Sequence, residues 1–296
     1  MILVAGGTGR LGTLVVSHLD GCGVDVRVLT RDPARAKHLH STGAEVVRGD
    51  VRDPASIERA MSGVNTVVSA VHGFAGPGRV TPASVDRDGN ANLVDAAAAT
   101  GADMVMMSIV GASRDHPLEL QRAKHDAEQH LRASSVAWTI VRATAFVELW
   151  ADIMKKPIVF GRGDNPINFV SVGDVAAVVE RAATDRSLRG TVLEVGGPQN
   201  FTFNELAALL QEVRGRPARI RHVPRWLLHT MAPIGRKPRA ALAMDTTDMA
   251  FDGVAAHEDF ADLPMTDIRT ALTEAPVSRG ATSNPMYPTA PERRPR

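Results

Sequence analysis

The feature that most constrains this sequence is a glycine-rich loop close to its start. Residues 6–12 read G-G-T-G-R-L-G and stand between the apolar run Ile2–Ala5 and a helical pattern over Leu11–Leu19. The glycines satisfy two overlapping spacings, G-x-x-G-x-x-G and G-x-G-x-x-G, which permit a tight turn and a close approach of backbone to a phosphate. The N-terminus of the helix that follows offers unpaired N–H groups to an anion. The loop therefore predicts a phosphate-binding strand–turn–helix unit.

The first 142 residues alternate short apolar runs with helical patterns. The runs are rich in Val, Ile and Met and are continuously apolar, which is typical of parallel strands covered on both faces. We predict strands over Ile2–Ala5, Val24–Thr30, Ala44–Arg48, Thr66–Ala70, Met104–Ser108 and Ala137–Val141. The predicted helices are Leu11–Leu19, Pro33–His40, Pro54–Met61, Ser84–Ala99 and Leu118–Ala133. This repeat predicts an α/β fold, a doubly wound parallel sheet of the Rossmann type.

The pattern becomes interrupted after about residue 150. A helix over Val172–Ala183, a strand over Thr191–Val195 and a helix over Phe203–Arg214 are separated by loop-like stretches. The last 20 residues are rich in Pro, Ser, Thr and Arg, a composition that cannot bury a core. We therefore predict a dinucleotide-binding Rossmann domain over 1–150, a smaller C-terminal substrate lobe over 151–276 and a disordered tail over 277–296.

Composition excludes several classes of protein. The net charge is +1, so no global field directs the chain to nucleic acid or membrane, and the basic stretch at 219–225 is expected to be a solvated turn. Cys22 is the single cysteine, and no His or acid pair has metal-ligand spacing, so we predict no disulfide and no metal site. Neither a signal peptide nor a membrane-length apolar run is found, which predicts a cytoplasmic protein, monomeric or homodimeric.

The end of the second predicted strand distinguishes between two nicotinamide cofactors. An NAD site usually has an acid there for the ribose hydroxyls, whereas this chain has Arg31, whose guanidinium suits a 2′-phosphate. NADP is therefore favoured over NAD, with a solvated surface Arg31 as the alternative. Asp50 and Val51 end the third strand and are candidates for the adenine, or form a plain turn. The candidate cofactor-binding residues are Gly6, Thr8, Gly9, Arg10, Leu11, Gly12, Arg31, Asp50, Val51, Ala70 and Lys124.

At this point the sequence resembles a known family. The runs V-A-G-G-T-G-R-L-G, V-L-T-R-D, G-D-V-R-D-P and T-V-V-S-A-V are similar to the atypical branch of the short-chain dehydrogenase/reductase superfamily, and most similar to its NmrA-like NAD(P)H-binding members. Segments 85–97, 125–143 and 169–176 add to the resemblance, although Ala143 replaces the family's usual proline. The resemblance covers about residues 1–215. It implies a Rossmann fold, a cytosolic location and a nicotinamide cofactor, and it fixes no substrate.

The resemblance also implies where a catalytic centre would lie. Most reductases of the superfamily use a tyrosine acid, a lysine four residues later and a serine ending the fifth strand. Ser108 and Lys124 stand at the serine and lysine positions, but Leu120 replaces the tyrosine, and the only tyrosine, Tyr287, lies in the predicted tail. Tyrosine-dependent carbonyl reduction is therefore not expected.

Three roles are open for Lys124: contact with the cofactor ribose, proton transfer, or a surface pair with Glu128 four residues on. His116, in the loop before the helix, is a further candidate acid or an exposed loop residue. Arg142 faces the pocket or pairs with a buried acid. An apolar set either lines a substrate pocket or packs in the core: Phe146, Trp150, Trp226, Leu227, Leu228 and Met231.

Two functional hypotheses follow. The first is an NADP(H)-dependent oxidoreductase that acts on a small quinone, enone or carbonyl without the usual tyrosine. The second is a non-catalytic redox sensor that binds the dinucleotide and signals to a partner protein, as the resemblance to NmrA-like regulators implies. The missing tyrosine favours the sensor, whereas the presence of Ser108 and Lys124 favours the enzyme.

Overall fold

The computed structural model describes residues 1–39, 41–74, 79–217 and 219–274. The strands in these ranges are β1 (Ile2–Ala5), β2 (Val26–Thr30), β3 (Glu45–Arg48), β4 (Thr66–Ser69), β5 (Asp103–Ile109), β6 (Trp138–Ala143), β7 (Ala145–Phe146), β8 (Ile158–Phe160), β9 (Ile167–Val170), β10 (Thr191–Val195), β11 (Asn200–Phe201) and β12 (Arg221–Val223). Within the described residues, seven of them form one parallel sheet in the order β10-β6-β5-β4-β1-β2-β3. This is the order of a doubly wound sheet, and it confirms the predicted fold class.

The α-helices follow the strands along the chain. They are α1 (Arg10–Gly21), α2 (Pro54–Ala60), α3 (Asp88–Thr100), α4 (Glu119–Ala133), α5 (Val147–Ile153), α6 (Val172–Thr184), α7 (Phe203–Val213), α8 (Arg225–Met231), α9 (Arg236–Met244), α10 (Gly253–His257) and α11 (Ile268–Glu274). Short 3₁₀ turns cover Pro33–Leu39, Arg186–Leu188 and Glu258–Phe260. Asp32 begins the first of these turns, since its Oδ1 accepts the N–H of Ala34 at 3.0 Å.

Both faces of the central sheet are buried. Val4 and Val28 belong to the core that includes α1 and α6, whereas Leu3 and Leu29 belong to the core of the opposite face, with α3 and α4. All four side chains are at most 2% exposed, which explains why these strands read as continuous apolar runs. Burying each such side chain stabilises the fold by about 1.5–3 kcal/mol.

The later part of the chain contributes to two structures. β10 pairs with β6 and α6 packs on α1, so this portion completes the central sheet and its cover. The remainder forms the small sheets β11-β9-β7 and β12-β8, with a third core around Phe169 and Leu206. The predicted boundary at residue 150 lies within α5, and the parts on either side of it share the central sheet because β10 pairs with β6. The predicted tail lies outside the described residues.

A π-helical turn over Pro82–Arg87 precedes α3. Thr81 caps it, because its Oγ1 accepts the N–H of Ser84 at 3.0 Å while the Ser84 hydroxyl accepts the N–H of Thr81 at 3.0 Å. π-turns insert one extra residue per turn and are frequent at functional sites. The turn carries the fully buried carboxylate of Asp86.

Candidate active site

The glycine loop folds so tightly that Gly6 and Gly12 have no room for a side chain. Gly6 has φ +84°, and a Cβ placed there would lie 2.7 Å from the carbonyl oxygen of Ala70. A Cβ on Gly12 would lie 2.2 Å from the carbonyl oxygen of Gly6. Helix α1 follows at once, and its N-cap residue, Gly9, provides no capping side chain within the described residues. The loop and the first turn of α1 thus form a cradle of backbone that fits a pyrophosphate.

The other predicted residues of the loop have distinct surroundings. Leu11 is 7% exposed and packs in the core beneath α1, so its contribution would come from its backbone. The Thr8 hydroxyl lies 3.2 Å from that of Thr30, at the ends of β1 and β2. Arg10 forms an ion pair with Asp152 of α5, which links the cradle to the helix that follows β7.

Charged side chains cluster where β2 and β3 end. Arg31 is exposed there, next to Asp50, and Arg52 clasps the Asp50 carboxylate with N···O distances of 2.6 and 3.0 Å. Hydrogen bonding from Arg52 is the main cause that lowers the pKa of Asp50, and the charge of Arg31 adds to it. Val51 is buried. Two arginines therefore border the predicted adenine end, and sequence reasoning missed Arg52.

Lys124 is buried rather than solvated. Its Nζ lies 3.0 Å from Asp86 Oδ1, and it donates hydrogen bonds to the carbonyl oxygens of Met107 at 2.8 Å and Val71 at 3.2 Å. These contacts hold the residues after β4 against β5. Of the three roles left open by the sequence, the surface pair with Glu128 is excluded, because Lys124 is buried and pairs with Asp86.

Asp86 is the unexpected partner in this arrangement. Its Oδ2 accepts the N–H of Gly73 at 2.7 Å, and its backbone carbonyl accepts from the amide of Asn90 at 2.7 Å. Its Oδ1 receives no hydrogen bond within the described residues, although it faces Lys124. The charge of Lys124 therefore balances this fully buried carboxylate.

Ser108 is engaged with a second buried acid. Its Oγ donates to Glu128 Oε1 at 2.5 Å, and the same carboxylate accepts from Arg142 at 2.7 and 3.0 Å. Glu128 is fully buried, so Arg142 takes the second of its two predicted roles and pairs with a buried acid. A hydroxyl that donates to a carboxylate offers only its lone pairs to another group.

The two remaining positions of the predicted centre lie near the start of α4. His116 is half-buried, its Nδ1 accepts the N–H of Leu118 at 3.1 Å, and burial is the main cause that lowers its pKa. A neutral ring that accepts from its own loop has a local structural role. Leu120, half-buried one turn before Lys124, occupies the position of the superfamily's tyrosine.

Sequence reasoning missed His72, which directly follows the residue that accepts from Lys124. It is exposed, and the next residue, Gly73, donates to Asp86. The signal available in the sequence was a titratable residue three positions after the end of β4.

The apolar candidates divide between core and surface. Trp150 packs with Phe203 at a ring-centroid distance of 4.7 Å, and Leu228 is 2% exposed. Trp226 and Met231 are exposed instead, so neither packs in the core. Among the described residues, no cluster of three His, Cys, Asp or Glu side chains could hold a metal ion.

A parallel sheet with a side-chain-free phosphate cradle at the end of β1 defines a dinucleotide-binding Rossmann protein. Residues 6–186 match the family model described as NAD(P)H-binding. The chain belongs to this NAD(P)H-binding family. The resemblance noted in the sequence is thereby confirmed, as is the prediction of a nicotinamide dinucleotide as cofactor.

Individual relatives agree with this assignment. The chain is 31% identical over 226 residues to the NAD(P)H azoreductase of Xenophilus azovorans, covering 74% of this chain and 76% of that protein. It is 34% identical over 225 residues to the (4-alkanoyl-5-oxo-2,5-dihydrofuran-3-yl)methyl phosphate reductase of Streptomyces griseus. This match covers 74% of this chain and 76% of that protein. The quinone oxidoreductase QOR2 of Escherichia coli, solved with NADPH, has the same fold, with a TM-score of 0.73 and 22% identity over 92% of this chain and 99% of that one.

None of the helices in the described ranges is both long and apolar enough to span a bilayer. The cytoplasmic location and the oligomeric state stay predictions.

Proposed function

We propose that this protein is an NADPH-dependent reductase of small conjugated molecules, and that no tyrosine takes part. One observation carries the proposal: adjacent residues join the phosphate cradle to the buried lysine. The Ala70 carbonyl closes the cradle at Gly6, and the Val71 carbonyl accepts from Lys124 at 3.2 Å. A dinucleotide on the cradle would extend along the ends of the strands towards Lys124.

The residues available to hold the cofactor form three groups. The backbone of Gly6, Thr8, Gly9, Arg10, Leu11 and Gly12 would hold the pyrophosphate, with Arg10 exchanging Asp152 for phosphate. Arg31 would bind the 2′-phosphate, since it is exposed at the end of β2 where an NAD site has an acid. Asp50 and Val51 would border the adenine, and Lys124 the nicotinamide ribose. When bound, NADPH supplies a hydride.

The arrangement limits which side chain could supply a proton. Leu120 cannot donate one, and the ammonium of Lys124 already faces a carboxylate and two carbonyl oxygens. Lys124 would therefore act through its charge and by holding the residues after β4. Ser108 donates to Glu128, so it would orient a group that itself donates. Water and the exposed His72 are the proton sources that this geometry leaves, with His116 as the sequence-predicted alternative.

The relatives support the class of substrate. An azo group and an oxo-dihydrofuran both contain a conjugated double bond, which accepts a hydride at one end and a proton at the other, as a quinone does. Such acceptors do not require a strong acid beside a carbonyl oxygen. A site without tyrosine suits them better than it suits a plain ketone.

The redox-sensor function is the second candidate. It is favoured by the same internal bonds, because Lys124 and Ser108 both have partners within the protein. In that case the dinucleotide would bind without turnover. The two functions differ in a single measurement, the oxidation of bound NADPH in the presence of an acceptor.

The test is to titrate NADPH and NADH by fluorescence, then to follow NADPH absorbance with a panel of quinones, enones and azo dyes. Turnover with at least one conjugated acceptor and none with plain ketones is expected. Lys124→Met should reduce turnover strongly, whereas the exposed Lys156→Met serves as the matched control. NADPH binding without turnover of any acceptor would refute the reductase function and leave the redox-sensor function. Failure to bind either nucleotide would refute both functions.

A further inference from the structure

The charges of this chain are distributed unevenly. Between residues 213 and 244 the sequence contains eight arginines and lysines and no aspartate or glutamate. Only five lysines occur in the whole chain, and one of the eight cations is Lys237. The net charge of +1 therefore conceals a segment of strongly positive charge.

The structure folds this segment into β12, α8 and α9, so residues 221–223 form a strand rather than the expected turn, although Arg219 and Arg221 are solvent-exposed as expected. Two of its cations bind other parts of the protein. Arg214 donates to the carbonyls of Met154 and Ala151, and Arg225 pairs with buried Asp245 at 3.0 Å. The others described as exposed include Arg219, Arg221, Lys237 and Arg239.

A neighbouring element adds to the positive charge. The N–H of Arg221 donates to the Pro157 carbonyl at 2.9 Å, and β12 pairs with β8. Lys156, exposed immediately before Pro157, therefore lies beside the segment. Cations from two separate stretches of sequence meet at this edge of the small lobe.

Apolar side chains stand out from the same segment. Trp226 is 67% exposed, Met231 46% and Ile234 90%, and together they are three of the four large exposed hydrophobic residues in the described part of the chain. Trp226 lies in the first turn of α8, Met231 is the last residue of that helix, and Ile234 follows in the next turn, where its N–H donates to the Met231 carbonyl at 3.1 Å. Exposed apolar side chains thus occur at both ends of α8, and exposed cations stand on β12 before it and on α9 after it.

We propose that this basic–apolar surface, formed by Trp226, Met231, Ile234, Arg221, Lys237 and Arg239, docks on an anionic phospholipid membrane. Arginine and lysine bind lipid phosphates, and tryptophan favours the boundary between headgroups and acyl chains. Exposed isoleucine and methionine side chains bury apolar surface when they enter that boundary, which is favourable, whereas the charged backbone of a nucleic acid offers them no apolar environment. The proposal is independent of the proposed reductase function.

The test uses the full chain and sedimentation with lipid vesicles. Vesicles of phosphatidylcholine alone are compared with vesicles that contain about one third phosphatidylglycerol, at low and high salt. The protein should sediment with the anionic vesicles only, salt should release it, and the fluorescence of Trp226 should shift to the blue.

Two double variants separate the contributions. Lys237→Glu with Arg239→Glu should lower vesicle affinity by about tenfold or more, and Trp226→Ser with Ile234→Ser should do the same while removing the blue shift. The matched controls are Arg59→Glu on α2 and Val254→Ser on α10, both exposed and distant in sequence, which should change nothing.

Several outcomes would overturn the proposal. The protein could ignore anionic vesicles, or bind them equally well without Trp226 and Ile234. Duplex DNA that competes with vesicles and binds the serine variant unchanged would indicate a nucleic-acid surface instead. Self-association that disappears with the serine variant, without lipid binding, would indicate a dimer interface. NADPH binding by each variant verifies that the fold is intact.

Discussion

The Lys124 ammonium lies 3.0 Å from the Asp86 carboxylate, and both side chains are buried at the ends of the central strands. Lys124 belongs to α4 and Asp86 to the π-turn before α3, so the pair joins two helices that cover the same face of the sheet. The pair also fixes the residues after β4, because Lys124 donates to the Val71 carbonyl and Asp86 accepts the N–H of Gly73.

Breaking this pair should destabilise the protein strongly. Asp86→Asn or Lys124→Met alone leaves the other charge buried without its partner, at a cost of about 3–5 kcal/mol. The double variant should cost less than the sum of the two, because no uncompensated charge remains. Urea unfolding of all four proteins measures the cycle, and simple additivity would contradict the coupling.

Two glycines of the same helix should respond oppositely to alanine. Gly12→Ala would place a Cβ 2.2 Å from the Gly6 carbonyl oxygen, so we expect loss of NADPH binding and a lower unfolding temperature. Gly21→Ala meets nothing within 4 Å at the other end of α1, and there alanine should be neutral or stabilise by up to about 1 kcal/mol. Nucleotide titration measures the NADPH affinity of both variants, and thermal unfolding measures their unfolding temperatures. Equal effects of the two substitutions would contradict the role of Gly12 in the phosphate cradle.

The choice of cofactor should depend on Arg31. Arg31→Ala removes the charge proposed for the 2′-phosphate, so NADPH affinity should fall about tenfold, which corresponds to about 1.4 kcal/mol. NADH lacks that phosphate and should bind as before. Fluorescence titration with both nucleotides measures this, with Arg59→Ala as the control. Equal weakening for NADPH and NADH would remove Arg31 from the phosphate site.

The two arginines beside the buried Glu128 should contribute unequally to the stability of the protein. Arg142→Ala leaves Glu128 buried with one fewer partner and should cost about 3 kcal/mol. Arg132 lies 3.6 Å from the same carboxylate but is one-third exposed, so Arg132→Ala should cost about 1 kcal/mol or less. Denaturant unfolding measures the free energy of unfolding of both variants. Similar losses of stability would mean that Arg142 is not the main partner of Glu128.

Glu148 should make stability depend on pH. Desolvation is the main cause that raises the pKa of this carboxyl above its usual 4.5, although hydrogen bonds from Val172 and Ser171 oppose it. The folded state therefore holds the proton more tightly than the unfolded state, and this group's contribution to stability falls as pH rises above about 4.5 through the folded pKa. Glu148→Gln should abolish that slope. Unfolding free energies between about pH 4 and 8 measure the difference from wild type, and a parallel pH dependence would contradict it.

Much of the dinucleotide fold was predictable, because its signals are local. The glycine spacing, the apolar runs of β1 and β5 and the Asp32 turn each depend on a few consecutive residues. The small sheets of β7, β8 and β9 were missed, because their strands are only two to four residues long and take their form from the lobe around them.

The candidate site was only partly predictable. Ser108 and Lys124 were located by position, but their partners were not. Glu128 read as a surface acid because its spacing from Lys124 suits an exposed helical pair, while its burial depends on Arg142 from β6. Asp86 stands 38 residues from Lys124 in a run that predicted a regular helix, and the π-turn that directs it inward has no spacing signature.

That π-turn also fixes how this protein can change over time. Removing one residue between Thr81 and Arg87 would let the turn relax into an ordinary α-helix and rotate the carboxylate by about 100° around the helix axis. The Lys124 charge would then lose its counter-ion while every side chain in the site stayed the same. A single-codon deletion in this turn is therefore a second route, besides substitution of Asp86 itself, by which a descendant of this chain could uncouple its lysine.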